Sequence, residues 1–269
     1  MGIANKKRLA VLNCGHSRTF EKCYDNFLSK IIEPNTKEYD IDVFMVSSNI
    51  ISQREHIKPI FKPKRVAESD QKYNKKANGV IYEVNEEKLK NRLKQIYSSH
   101  EVSKIAEYKL AGVFFTPEKI EDNNINPLNW EWFRRGIFSK PYYAFNKMKE
   151  KEEETGTKYD AILRTRPDVM LKKAIKVENL EKDSLYLPGG WIKNSQYYED
   201  KFYIADFLAH GDRESMKKYV KIFEMREPLE TRVKERGNCS ENQLYLYLKK
   251  NDMKIKFSLT KRSDYKVQR

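Results

Sequence analysis

Cysteine is scarce in this chain: Cys14, Cys23 and Cys239 give an odd count and no CxxC-type metal spacing. That excludes a disulfide framework or a zinc ribbon, and a reducing compartment is the simpler inference. Long apolar runs are missing as well. The N-terminus passes from a few polar and basic residues into the short run Leu9–Cys14, too short for a secretory signal, and no stretch approaches the length of a membrane span. Met1 and Gly2 open like a myristoylation site, but Lys6 stands where serine or threonine is wanted. Together these absences predict a cytoplasmic protein with no membrane span. The chain also has no GxGxxG fingerprint and no P-loop, which weakens dinucleotide oxidoreductase and P-loop kinase readings. It shows no repeat, no low-complexity tract, and no RRM, KH, zinc or helix-turn-helix signature.

What is present is a core and an excess of positive charge. At 269 residues, 39% hydrophobic and 12% aromatic, the chain is long enough to bury a substantial core as a single α/β domain. Its 53 basic residues against 39 acidic ones leave a net charge of +14, which favours anionic partners: nucleic acid, membrane headgroups or phosphorylated small molecules. The basic residues are spread along the chain rather than gathered in a stripe, so no nucleic-acid partner is expected.

Residues 8–14 form a continuous apolar run closed by Gly15 and read as a buried parallel strand. Phe20, Cys23, Tyr24, Phe27, Leu28, Ile31 and Ile32 then recur at helical spacing until Pro34, and residues 41–48 form a second core strand. This βαβ opening implies a parallel sheet with right-handed crossovers. Residues 50–85 are polar and basic and read as an irregular connection. The pattern predicts a helix over 86–109, carrying Leu89, Leu93, Ile96 and Tyr97 on one face, and another through the stretch that begins at Trp130. A strand at 159–166 and an apolar run at 184–191 follow, then a strand or strand pair at 197–211 that ends in a turn at Gly211, with His210 read as a polar turn residue rather than a catalytic one. Helices are predicted over 212–225, with Asp212 as N-cap, and from Ser240. A last strand at 254–259 precedes a basic, mobile tail at 260–269.

The segment Tyr159–Leu171 holds the main functional signal. Tyr159, Ala161, Ile162 and Leu163 suit burial, whereas Arg164, Arg166 and Asp168 cannot be buried without partners. Charges at the end of a core strand suggest a site, because ligands of open α/β sheets gather outside the carboxyl ends of strands. Arginine forks suit a diphosphate and an aspartate suits a hard divalent cation. A salt-bridge ladder closing a sheet edge is the competing reading.

Three further segments carry candidates. The turn Gly15, His16, Ser17, Arg18 lies between a strand and a helix N-terminus, where backbone N–H groups and Arg18 can meet an anion; an ordinary βα turn is the alternative. Asp200 and Asp206 flank an apolar run, and either can ligate a metal, act as a base or hold a turn. Glu241 sits in the first turn of a predicted helix, where it can serve as a base, bind a substrate hydroxyl, or simply complement the helix dipole. Trp130, Trp132 and Trp191 offer flat faces to a sugar or belong to the core.

Taken in order, the CGxxR-like turn, the DVFMVSS strand, LRTRPDV, DFLAHGDRESMKKY and SENQLYLYL resemble the GT-A-type nucleotide-sugar glycosyltransferases, particularly those encoded by large DNA viruses of the chlorella type. The likeness spans most of the chain, each motif alone being loose. It implies a Rossmann-like GT-A fold, with a nucleotide-binding half at 1–120 and a metal and acceptor half at 121–259. It also implies a nucleotide-sugar donor such as UDP-xylose or UDP-glucose, a glycan or glycoprotein acceptor, a role in viral capsid-protein glycan synthesis, and a location in the host cytoplasm. Mn²⁺ or Mg²⁺ would be held by Asp168, at the position of the DXD motif, although Arg166 replaces that motif's first acid. The diphosphate would lie against Gly15, His16, Ser17, Arg18, Arg164 and Arg166. Asp206 is then the first candidate for the base, Glu241 the second, and Trp191 and Asp200 face the acceptor. A nucleic-acid-binding protein, or a metal-dependent phosphoryl or nucleotidyl transfer enzyme, remains the alternative.

Overall fold

The structure, a computed structural model, describes residues 6–15, 17, 19–47, 50–53, 64–65, 80–83, 85–101, 108–116, 137–191, 202–230 and 240–267. Its first strand shows how the sequence drives the architecture. In β1 (Lys7–Cys14) the last six residues are all buried. Leu9 and Val11 pack into one core while Ala10, Leu12 and Cys14 pack into another. A strand with two apolar faces must be covered on both.

The covers are helices. On one face lie α1 (Phe20–Phe27), extended by a π turn at Leu28–Ile32, and α2 (Glu86–Glu101), whose Leu89, Leu93, Ile96 and Tyr97 meet Phe20, Tyr24 and Ile31. On the other lie α3 (Ser139–Thr155), α4 (Arg213–Val220) and α5 (Ser240–Lys250), contributing Phe145, Met148, Met216, Tyr219, Leu244 and Leu248. Each such side chain contributes about 1.5–3 kcal/mol when withdrawn from water. As the capping signal predicted, the Asp212 carboxylate accepts from the Ser215 amide at 2.7 Å at the start of α4.

Between the helices runs an α/β, mostly parallel, Rossmann-like sheet. β2 (Tyr39–Ser47) and β7 (Ala161–Thr165) pair in parallel with β1 on either side, and β6 (Tyr108–Phe115) pairs in parallel with β2. Beyond β7 come β11 (Ala209–Asp212), antiparallel to it, then β9 (Ser184–Trp191), which also carries β10 (Phe202–Ile204) and β12 (Lys254–Leu259). Among the described residues no helix is long and apolar enough to cross a membrane.

The structure departs from the sequence reading in four places. The helix expected over 86–109 ends at Glu101, and β6 follows it, an outer strand whose apolar residues 110–115 are mostly half-exposed and pair in parallel with β2. Within the segment expected to be irregular, β3 (Ile50–Gln53), β4 (Lys64–Arg65) and β5 (Val80–Glu83) form a small antiparallel sheet. Gly211 lies inside β11 rather than in a turn, where a Cβ would stand 3.0 Å from the Ser184 carbonyl. Finally, the basic tail does not trail away. Its residues Tyr265–Val267 form β13, antiparallel to β8 (Val169–Leu171).

Candidate functional site

The strand order decides where a site can form. From β1 the chain moves outward through β2 to β6 on one side, then returns to lay β7 on the other. The carboxyl ends of β1 and β7 therefore flank the point where the winding reverses, the place where open α/β sheets take their ligands. Those loops are Gly15–Thr19 and Arg166–Asp168. They meet at one place: a Cβ on Gly15, whose φ is +154°, would stand 3.1 Å from Pro167 Cδ and 3.6 Å from Arg166 Cγ.

Beneath the first loop, Ser17 is 1% exposed, with its Oγ 3.4 Å from that of Ser47. Its carbonyl accepts from the Phe20 amide. Ser17 thus anchors the turn to the end of β2 rather than presenting its hydroxyl outward. His16, Arg18 and Asp200, together with Trp130, Trp132 and Cys239, lie outside the described residues. Trp191 ends β9, paired with Phe202, and only its backbone is described.

Arg164 is the most unusual side chain of the protein. It is 2% exposed, set in the register of β7 between Leu12 and Ala209, and directed to the face covered by α3, α4 and α5. Its Nε and Nη1 are buried without a hydrogen-bond partner, and no carboxylate pairs with it among the described residues. Its charge acts on the thiol of Cys14 and the hydroxyl of Tyr219. Burial pushes each of these groups up to about 12, although Arg164 pulls in the other direction. Lys140, itself 3% exposed, acts on the same thiol. A guanidinium held this way costs several kcal/mol unless something anionic reaches it.

Arg166 is placed differently. Its Nε donates to Asp168 Oδ1 at 2.8 Å and its Nη2 to Oδ2 at 2.7 Å, a two-point fork. The Asp168 side chain is 0% exposed and that of Arg166 20%. Burial opposes the charge on Arg166, but Asp168, then Asp206 and Glu241, raise its affinity for the proton further. Asp206 is 8% exposed in the turn between β10 and β11, and Glu241 lies in the first turn of α5, with Ser240 Oγ donating to its Oε2 at 3.0 Å.

The site segments are braced from two sides. Asn26 of α1 accepts from the Leu171 amide at 2.6 Å and donates to the Leu171 carbonyl at 2.8 Å. From the other side, β13 pairs with β8, and the Asp264 carbonyl accepts from the Lys172 amide at 2.8 Å.

Gly15, Ser17, Arg164, Arg166, Asp168, Asp206 and Glu241, separate in sequence, thus gather at one edge of the sheet. Sequence reasoning missed Lys140 and Tyr219. Lys140 could have been found, because Lys140, Ala144, Met148 and Glu152 form an i, i+4 stripe on the buried face of α3 with a charge at each end. His210 turns out to be a core residue of β11. Its ring stacks on Tyr186 at 4.9 Å, both nitrogens are without partners, and burial lowers its pKa to about 3.

The described residues do not fit a divalent cation of the DXD kind. Both oxygens of Asp168 are engaged by Arg166, an arginine stands two positions before it, and among the described residues no group of three His, Cys, Asp or Glu side chains can hold a metal ion.

No protein-family model matches the chain, and no curated protein matches it. Among solved structures, it is similar to the nucleoside-diphosphate-sugar pyrophosphorylase from Vibrio cholerae RC9, at 11% identity and a TM-score of 0.39, with 96% of this chain and 94% of that chain covered. So loose a superposition carries no argument about what this chain binds.

Proposed function

We propose that the chain is a nucleotide-sugar glycosyltransferase of the GT-A type, binding the diphosphate of a UDP-sugar across the carboxyl ends of β1 and β7. The observation that carries this reading is the Arg164 guanidinium, buried with two unpartnered nitrogens near the end of a central strand and two residues before Arg166. An anion must complete that environment, and a diphosphate is of a size to reach both arginines. Arg18, His16 and the Gly15 turn would close over the phosphates from the β1 side.

In the reaction, the acceptor hydroxyl oxygen bonds to the anomeric carbon while the bond from that carbon to the β-phosphate oxygen breaks, its electron pair staying with the leaving diphosphate. The guanidiniums oppose the charge that develops there. The acceptor proton passes to Asp206, with Glu241 second in line for that role. Trp191 and Asp200, at either end of the stretch between β9 and β10, are assigned to a glycan acceptor.

The test is calorimetric titration of the purified chain with UDP, UDP-glucose and UDP-xylose, followed by donor hydrolysis assays. Arg164→Met should weaken UDP binding by about 10–100-fold, as expected for the loss of a charge-assisted contact. Its melting temperature should stay level or rise, because an uncompensated buried charge has been removed. Absence of binding to any nucleotide or nucleotide sugar would sink the reading. Formation of a nucleotide sugar from UTP and a sugar 1-phosphate would instead show nucleotidyl transfer.

A further inference from the structure

We infer that the cation working at the diphosphate seat is the Arg166 guanidinium, held in place by Asp168, and that this chain binds its donor without a divalent metal. The inference rests on the proposed function and concerns what supplies positive charge within that site.

The geometry comes first. Nε and one prong of Arg166 are locked onto the two oxygens of Asp168 at 2.8 and 2.7 Å. The pair therefore has one orientation, and the remaining prong, Nη1, takes no partner among the described residues. The Asp168 side chain is wholly buried and that of Arg166 only partly so, so the carboxylate is turned into the protein while the arginine keeps access to solvent. This is the arrangement of a positioning residue and the group it positions. An arginine ordered in advance binds phosphate oxygens in two-point contacts without first losing its rotamer freedom.

A metal ion would have to take Asp168 from Arg166. It would break both contacts of the fork and gain one carboxylate that a guanidinium already holds. A divalent cation and the freed guanidinium would then be like charges beside one buried carboxylate, which disfavours the exchange. Pro167 fixes the turn between the two residues, and its Cδ, against Gly15, leaves that turn little freedom to open. The charges of Asp206 and Glu241 act on Arg166 as well, so the nearby acids already favour this guanidinium.

The experiment compares UDP binding to the wild-type chain in excess EDTA and in excess MnCl₂, and then to Arg166→Lys, Arg166→Ala and Asp168→Asn in EDTA. The expected result is an affinity equal within about threefold in the two conditions. Arg166→Ala should weaken binding at least about tenfold, and Arg166→Lys, which keeps the charge but loses the fork, should recover little of it. Asp168→Asn should weaken binding less than Arg166→Ala, because it loosens the guanidinium without removing it. Binding that needs Mn²⁺ would overturn the inference while leaving the proposed function standing, as would unchanged affinity in Arg166→Ala. Absence of UDP binding in both conditions would remove the proposed function and the inference with it. The wild-type comparison stands even if a variant fails to fold.

Discussion

The ring of Tyr265 lies against that of Phe207, with centroids 4.3 Å apart and planes inclined at 49°. Phe207 follows Asp206, and Tyr265 pairs in register with Leu171, three residues beyond Asp168. The C-terminal segment thus joins the turn carrying the candidate base to the loop carrying the arginine fork.

Cutting the chain before Lys261 should therefore impair the site as well as the fold. Tyr265→Ala is expected to cost about 1–3 kcal/mol by losing the aromatic pair and part of the cover over β8. UDP affinity should fall with it. Tyr265→Phe should restore both, and chemical denaturation with parallel calorimetry provides the check. A truncated chain with wild-type affinity would show that the tail only decorates the sheet.

Gly15 lies where two loops touch, in a backbone conformation that side chains seldom adopt. Gly15→Ala places a methyl group 3.1 Å from Pro167 Cδ. The expected cost is about 1–3 kcal/mol of stability, from strain and from displacing the Arg166–Asp168 turn. Urea denaturation measures the first effect and nucleotide titration the second. Affinity should fall further than a purely global loss of stability explains.

Far from the crevice, Glu152 and Arg213 form a largely buried two-point pair, Nε to Oε1 at 2.9 Å and Nη2 to Oε2 at 2.7 Å. The Tyr159 amide adds a third donor at 3.0 Å. Arg213→Ala leaves the carboxylate buried with that amide alone, and about 3–5 kcal/mol should be lost. Replacing both residues with apolar ones of similar size should cost much less. A double-mutant cycle followed by thermal unfolding measures the difference.

His210 predicts a pH dependence. Its folded pKa, lowered by burial to about 3, lies below the ordinary value of 6.5. The unfolded chain therefore takes up the proton first. The stability from a neutral His210 is complete above pH 6.5 and is lost as pH falls from there towards 3, at about 1.4 kcal/mol per pH unit. Glu152 joins only lower down: burial tends to raise its pKa, but Arg213 and the Tyr159 amide outweigh burial and lower it below 4.5. His210→Leu, which leaves no unpartnered ring nitrogen behind, should flatten the curve between about pH 6 and about pH 5 without loss at neutral pH. Denaturation series at several pH values check this, and an unchanged slope would mean that His210 is hydrated in the native state.

Much of the fold was legible because its signals are local. Continuous apolar runs mark β1, β2 and β7, helical spacing marks the buried faces of α1 and α2, and Asp212 caps α4 as an N-cap aspartate should. β6 and β13 were not legible, since each is defined by the strand beside it. The site divided along the same line. Arg164, Arg166 and Asp168 were conspicuous as charges at the end of an apolar strand, whereas Lys140 and Tyr219 join them only because α3 and α4 cross the same face.

The sequence by itself determined an α/β chain and marked a charged strand end as the candidate site, because period and polarity are properties of neighbouring residues. Only the tertiary structure decided that Asp168 faces inward to hold Arg166 while Arg164 has no carboxylate partner among the described residues. Partners for a charge are chosen by the packing of strands and helices far apart in the chain, and nothing in the spacing of Arg166 and Asp168 distinguishes a metal ligand from an arginine's anchor.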